Sequence, residues 1–269
     1  METIKEDYNS LASTYDEYFS NITRPHSQEL VRRLNINSSA TVLDLACGTG
    51  TITAELRKYI CPKGKIIAVD SSEQMINKAK DKINEKNVEF ICGGMLGILD
   101  ECQENSFDCV TCGWAIGYAS PLELLKKIKR VLKQNGKIGI IENRKDTLSP
   151  LRETGIKVMQ RYPQHILYVM DLTLHLPRDE RHLERLYKKA GLKSLEVWEG
   201  EAKFSFKDGR EVLNWVLHTG ASAGFDRMMD PKVKNKCDNA FIEIIERDYK
   251  TKEGINISHK YVAGIAERI

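Results

Sequence analysis

The chain has 269 residues, 41% of them apolar and 29% charged, with 41 basic against 38 acidic side chains for a net charge of +3. That is a globular composition, long enough for one large α/β domain with additions, and it excludes disordered or collagen-like chains. The charge is spread without the basic stripe of a dedicated nucleic-acid binder, the acidic start Met1–Asp7 reads as no secretory leader, and no apolar run approaches the ~18 residues of a membrane span.

Short apolar runs alternate with helical periods through the middle of the chain, the mark of repeated βα units. Thr41–Leu45 is the first predicted strand. A helix follows from about Thr51, with Ile52, Leu56 and Tyr59 on one face. Lys65–Asp70 is the second strand; Ser71 or Ser72 then caps a helix whose apolar stripe is Met75, Ile76, Ala79 and Ile83. Val88–Cys92 and Phe107–Cys112 are the third and fourth strands. Ser120-Pro121-Leu122-Glu123 opens a helix with Leu125, Ile128, Val131 and Leu132 on its apolar face and Gly136 at its end, and Lys137–Glu142 is the fifth strand. Periodicity is lost after Arg144 for some thirty residues. A helix is expected over Arg178–Ala190, stopped by Gly191, then a strand over Leu192–Phe206. Two helical pieces lie within Lys207–Glu253, broken at Asp230-Pro231, and a last strand spans Ile255–Ile269.

This order predicts a doubly wound, Rossmann-like α/β fold with a seven-stranded sheet, mostly parallel with the last strand antiparallel, plus helical lid insertions. The expected organisation is N-terminal cap helices and a cofactor-binding core over 1–145, an insertion over 146–180, a core helix and strand over 181–206, a helical lid insertion over 207–253 and a final core strand over 254–269. Ligands of such sheets bind outside the carboxyl ends of the strands, so the two insertions are expected to cover that mouth. Seven cysteines, an odd number set mostly in apolar strand-like runs, argue against a disulfide framework and for a reducing cytoplasm. Cys109 and Cys112 stand three apart on one strand and point to opposite faces, so they do not form a metal pair.

The first strand runs directly into Asp44-Leu45-Ala46-Cys47-Gly48-Thr49-Gly50. Glycines there let backbone approach a ligand closely, and the free amides that follow suit an anionic group. Twenty residues after Gly50, Asp70 ends the second strand, where an acid can accept hydrogen bonds from ribose hydroxyls. A dinucleotide fingerprint requires a third glycine, but Thr51-Ile52-Thr53 follows Gly50. Asp44 beside the turn suits the cationic amine of an amino-acid tail better than a pyrophosphate.

The segment Asp44–Gly50 resembles the first motif of class I S-adenosylmethionine-dependent methyltransferases, and Asp70 matches that family's ribose-binding acid. Tyr8-Asn9-Ser10-Leu11-Ala12-Ser13-Thr14-Tyr15-Asp16 is similar to the N-terminal element of its small-molecule branch, in which tyrosines meet the methionine end of the cofactor. The resemblance covers residues 1–145 well and 180–206 and 255–269 more loosely. It implies S-adenosylmethionine as cofactor and a binding set of Tyr8, Tyr15, Asp44, Ala46, Gly48, Gly50, Asp70, Ser71, Met75, Gly94, Met95, Leu96, Cys112 and Trp114. The chain departs from the family at Cys92-Gly93-Gly94-Met95-Leu96, where many relatives carry an acid for the adenine amine, and at Ala46, where many have glycine.

Cys112-Gly113-Trp114-Ala115-Ile116-Gly117-Tyr118 lacks the Asn/Asp-Pro-Pro-aromatic tetrad that the resemblance associates with methylation of nucleobase amines. That argues against a nucleobase amine and leaves O, S, C or other N open; with no accessory binding domain or basic face, the acceptor expected from the resemblance is a small molecule, with neither nucleic acid nor membrane expected as partner. Tyr118, His175 and His218 are the candidate bases, and Arg144 a candidate clamp for an acceptor carboxylate. A sulfonium already carries its leaving group, so the chemistry calls for no metal. The competing readings are an RNA or protein methyltransferase and a catalytically silent binder of the same cofactor.

Overall fold

The structure, a computed structural model, describes residues 21–167, 174–218 and 228–269. Apolar β-branched runs become strands where the alternation predicts them: β1 (Thr41–Leu45), β2 (Lys65–Asp70), β3 (Val88–Cys92) and β4 (Phe107–Gly113). β1 pairs in parallel with β2 and with β4, β2 with β3, and β4 with β5 (Leu132–Asn143). The long β6 (Leu192–Phe206) and β8 (Gly254–Arg268) complete the order β3-β2-β1-β4-β5-β8-β6, and β8 runs antiparallel to β5. A two-residue strand, β7 (Lys250–Thr251), joins β8 off this path as the eighth. The fold is the doubly wound, mostly parallel sheet expected, with antiparallel strands at the C-terminal end.

The described residues fall into two compact units, one within Ser20–Lys145, Thr173–Gly200 and Tyr261–Ile269, the other within Asp146–Leu172 and Glu201–Lys260. In the first, alternate residues of each strand feed opposite faces. Leu43, Leu45, Val110, Cys112, Ile138 and Ile140 form one cluster with α4 (Met95–Glu101), α5 (Pro121–Val131) and α7 (Glu180–Ala190). Val42, Ile66, Cys109 and Ile141 form another with α1 (Asn21–Leu34) and α2 (Thr51–Leu56). The thiols of Cys109 and Cys112 thus serve different faces, as their spacing requires. All seven cysteines are free.

Local chemistry sets the helix ends. Ser72, not Ser71, caps α3 (Glu73–Lys82), its Oγ accepting the Met75 amide at 3.2 Å. Asp179 caps α7 by accepting the His182 amide at 2.7 Å, and Gly191 closes it in the left-handed region. Two expectations need correction. α2 ends at Leu56, so Tyr59 lies beyond it and is exposed. α5 ends at Val131 rather than at Gly136, because Leu132 is fully buried opposite Phe107 in the β4–β5 ladder. Asn135, at φ 62°, lies in the extra length of β5 between the pairs Phe107–Leu132 and Cys109–Lys137.

In the second unit, α6 (Ser149–Arg161) occupies the stretch where periodicity was lost. Its buried face is Leu151, Thr154, Gly155 and Val158, and two small residues hide the apolar stripe from a sequence reading. It shares a core with α8 (Gly209–His218) and α9 (Lys234–Tyr249), through Val158, Val212, Phe241, Ile244 and Ile245. Among the described residues, no helix is long and apolar enough to cross a membrane.

Candidate active site

The chain leaves the β3 edge and returns beside β1 as β4, so strand order reverses between β1 and β4. The carboxyl ends of those two strands open the crevice in which doubly wound sheets bind ligands. Around it stand the turn after β1, Asp70, the β3–α4 turn, residues 113–118 and the end of β5.

Ala46, Gly48 and Gly50 all adopt positive φ, at 54°, 55° and 87°. The Cys47 amide donates to the Val69 carbonyl at 2.9 Å, which ties the turn to β2. Gly50 is the N-cap of α2, and a Cβ there would lie 3.0 Å from Ile83 Cδ1 and 3.2 Å from Ala79 Cβ. Gly50→Ala is therefore expected to destabilise the protein by about 1–3 kcal/mol, from left-handed strain plus crowding against α3. Denaturant unfolding checks this, and a stability equal to wild type would refute it.

Asp44 is 1% exposed, and its two oxygens accept from Thr53 Oγ1 at 2.6 Å and Thr111 Oγ1 at 2.7 Å. Burial pushes its carboxyl up to about 6 against the pull of those two hydroxyls, with a smaller push from Asp70. It fastens β1 to α2 and β4 from beneath the turn. Asp70 lies above: its Oδ2 accepts the Gly48 amide at 2.9 Å and its Oδ1 the Ser72 amide at 2.8 Å. Burial raises the Asp70 carboxyl, opposed by the amides of Ser72, Gly48 and Ser71. Each carboxylate oxygen offers more than one lone pair, so these amides leave acceptor capacity for hydroxyl donors.

The Gly93 amide donates to the Asp70 carbonyl at 2.9 Å, bringing Gly94, Met95 and Leu96 to the same edge. Among the described residues, a Cβ on Gly48 or on Gly94 would meet nothing within 4 Å. A lined opening beside a carboxylate with spare lone pairs fits an adenosyl amino acid. Ser71 is exposed at this edge, whereas Met75 is 2% exposed and packs into the core beneath α3. Cys112 is fully buried with its Sγ 3.9 Å from the Met95 sulfur, and burial drives its thiol well above the ordinary range. The Trp114 indole Nε1–H donates to Ser27 Oγ at 3.1 Å, and its ring meets Tyr261 edge-on with centroids 5.7 Å apart. Tyr261 Oη in turn lies 2.9 Å from His26 Nδ1.

On the acceptor side, Tyr118 is half-buried at the end of the 3₁₀ turn Ile116–Tyr118. His175 has an exposed ring, and its backbone amide donates to the Gly117 carbonyl at 2.9 Å. Arg144 forms an ion pair with Glu199 of β6. Tyr8 and Tyr15 lie outside the described residues, as does the side chain of His218. The sequence reading missed Thr53 and Thr111, the hydroxyl partners of Asp44, and missed Glu142. The last is 1% exposed at the end of β5, and burial pushes its carboxyl up to about 7. An acid closing an otherwise apolar strand, Ile140-Ile141-Glu142, was the available signal.

The ubiE/COQ5 methyltransferase family matches residues 1–201. Demethylmenaquinone methyltransferase of Lactococcus lactis is 32% identical over 215 residues, covering 72% of this chain and 84% of its own length. Malonyl-[acyl-carrier protein] O-methyltransferase of Bacillus anthracis is 26% identical over 274 residues, covering 94% and 91%. A crystal structure from Bacillus halodurans C-125 superposes with a TM-score of 0.62 at 18% identity, covering 90% of this chain and 98% of that one, a likeness of fold.

Proposed function

Because the chain belongs to the ubiE/COQ5 methyltransferase family, a class of S-adenosylmethionine-dependent enzymes acting on small molecules, we propose that its acceptor is a demethylated naphthoquinone of the menaquinone type, in reduced form. The observation that carries this is the match to the Lactococcus lactis enzyme over 84% of that protein's length. The missing nucleobase-amine tetrad at 113–116 is consistent with it. The coverage of 94% of this chain by the Bacillus anthracis relative favours a second reading, a carboxyl group carried on malonyl-acyl carrier protein. Seven free thiols support a cytoplasmic site of action.

S-adenosylmethionine supplies a methyl group on a positively charged sulfur. Asp70 holds the ribose, the 46–50 turn meets the amino-acid tail, and Gly94, Met95 and Leu96 border the adenine. Residues 113–118 wall the other side and keep water out. Such alignment is worth up to roughly 7–11 kcal/mol in reactions of this kind. Tyr118 and His175 are the groups we carry forward as bases for an acceptor proton, with a contribution of about 10²–10⁴-fold where the proton must leave early.

The test is incubation with S-adenosylmethionine labelled in its methyl group, beside reduced demethylmenaquinone in one reaction and malonyl-acyl carrier protein in another. Label in the quinone is the expected result. Label only in the carrier-protein ester would replace the first reading by the second, and label in neither would remove both acceptors.

A further inference from the structure

The carboxyl end of β5 carries a buried acid, Glu142. Glu142 Oε2 accepts the Gly117 amide at 3.0 Å and Oε1 accepts the Asn143 amide at 2.7 Å. Both donors are neutral backbone groups. Burying a carboxyl on neutral amides alone is costly, and an apolar side chain of similar volume would pack at less expense. What the acid supplies instead is geometry, because one side chain gathers amides from two separate segments.

Its reach extends further. The Gly117 carbonyl accepts the His175 amide at 2.9 Å, and the Lys145 amide donates to the Pro177 carbonyl at 2.9 Å. The 3₁₀ turn attaches at the end of β5, and the segment at 175–177 attaches to that turn and to Lys145 just beyond the strand. The fit is close: a Cβ on Gly117 would come 2.9 Å from Leu176 Cδ2 and 3.6 Å from Glu142 Oε2. The turn begins three residues after Gly113, the last residue of β4, at the point where strand order reverses.

We propose that Glu142 is a positioning residue for methyl transfer: its carboxyl fixes the turn at 116–118 that walls the acceptor side of the crevice, and through the Gly117 carbonyl it fixes the backbone at His175. The hydrogen-bonded tether stands on these contacts, and its bearing on transfer rests on the methyltransferase reading above.

Glu142→Gln keeps the volume but turns one acceptor oxygen into a donor that faces an amide. Three measurements on the full chain decide the matter: S-adenosylmethionine affinity by calorimetry, amide hydrogen exchange, and turnover of reduced demethylmenaquinone. S-adenosylmethionine affinity should stay within about threefold of wild type, while exchange at 117 and 175 accelerates and kcat falls, each by about tenfold or more, the scale of one lost hydrogen bond to a carboxylate. Wild-type exchange at those amides would overturn the tether. Acceleration spread over the whole sheet, or a loss of cofactor affinity equal to the loss of kcat, would reduce Glu142 to a general structural role and overturn the proposal too. Should Glu142→Gln not fold, Glu142→Met removes both acceptor oxygens at similar volume and must give the same pattern; wild-type exchange and kcat in that variant would be equally fatal. If the wild-type protein binds S-adenosylmethionine but does not methylate the quinone, the acceptor assignment fails alone, and the exchange arm still decides the tether.

Discussion

Asp70→Ala is expected to weaken S-adenosylmethionine binding by roughly 30- to 1000-fold, the equivalent of about 2–4 kcal/mol for the lost bonds between a carboxylate and two ribose hydroxyls. The structure adds a second source of loss. Asp70 already holds the Gly48 amide of the turn after β1 and the Ser72 amide at the start of α3, so its removal also frees the turn that the ligand must find in place. Asp70→Asn separates the two contributions. It keeps an acceptor for one amide and so should retain part of the turn's order, while losing the full charge that favours the hydroxyl donors. Calorimetry with S-adenosylmethionine and with its demethylated product provides the measurement. Affinity in Asp70→Ala equal to wild type would take Asp70 out of the binding site.

The parts of this fold that were legible in sequence are those in which one local signal outweighs the rest. Val42-Leu43-Asp44-Leu45 followed by two glycines admits little besides a strand and a tight turn, and Asp70 follows at the spacing set by one βα unit. Gly191 stops α7 because only its backbone takes φ 75° without strain. The failures share a cause, which is that tertiary contacts decided the outcome. Gly136 looks like a helix stop, but the sheet captures Leu132 first. The face of α6 contains Thr154 and Gly155, whose burial depends on partners far along the chain in α9. Asp44 illustrates the same limit within the site. Its hydroxyl partners Thr53 and Thr111 stand 9 and 67 residues away, and no spacing in the sequence names either. Glu142 was visible as a strand end but not as a partner of Gly117, because a separation of 25 positions gives no hint that the chain returns.

Asp44 also leads to the prediction with the clearest pH signature. In the unfolded chain its carboxyl titrates near 3.9. In the folded protein burial moves it to about 6. Between those values the folded state holds a proton that the unfolded state has released. The stability that depends on this proton is therefore complete below about pH 4 and is lost as pH rises through 6, a decline of about 3 kcal/mol. Asp44→Asn cannot titrate, so its stability relative to wild type should improve by about that amount between about pH 4 and pH 7.5. Its offset at low pH is a separate matter. The amide side chain donates where the ionised acid accepted, and Thr53 or Thr111 must turn its hydroxyl to receive that bond. Asp70 and Glu142, also raised by burial, titrate in both chains and largely cancel in the comparison. Urea unfolding at the two pH values measures the difference. A gap between variant and wild type that stays flat with pH would show that Asp44 carries no such penalty, and that the two threonine hydroxyls compensate its burial in full.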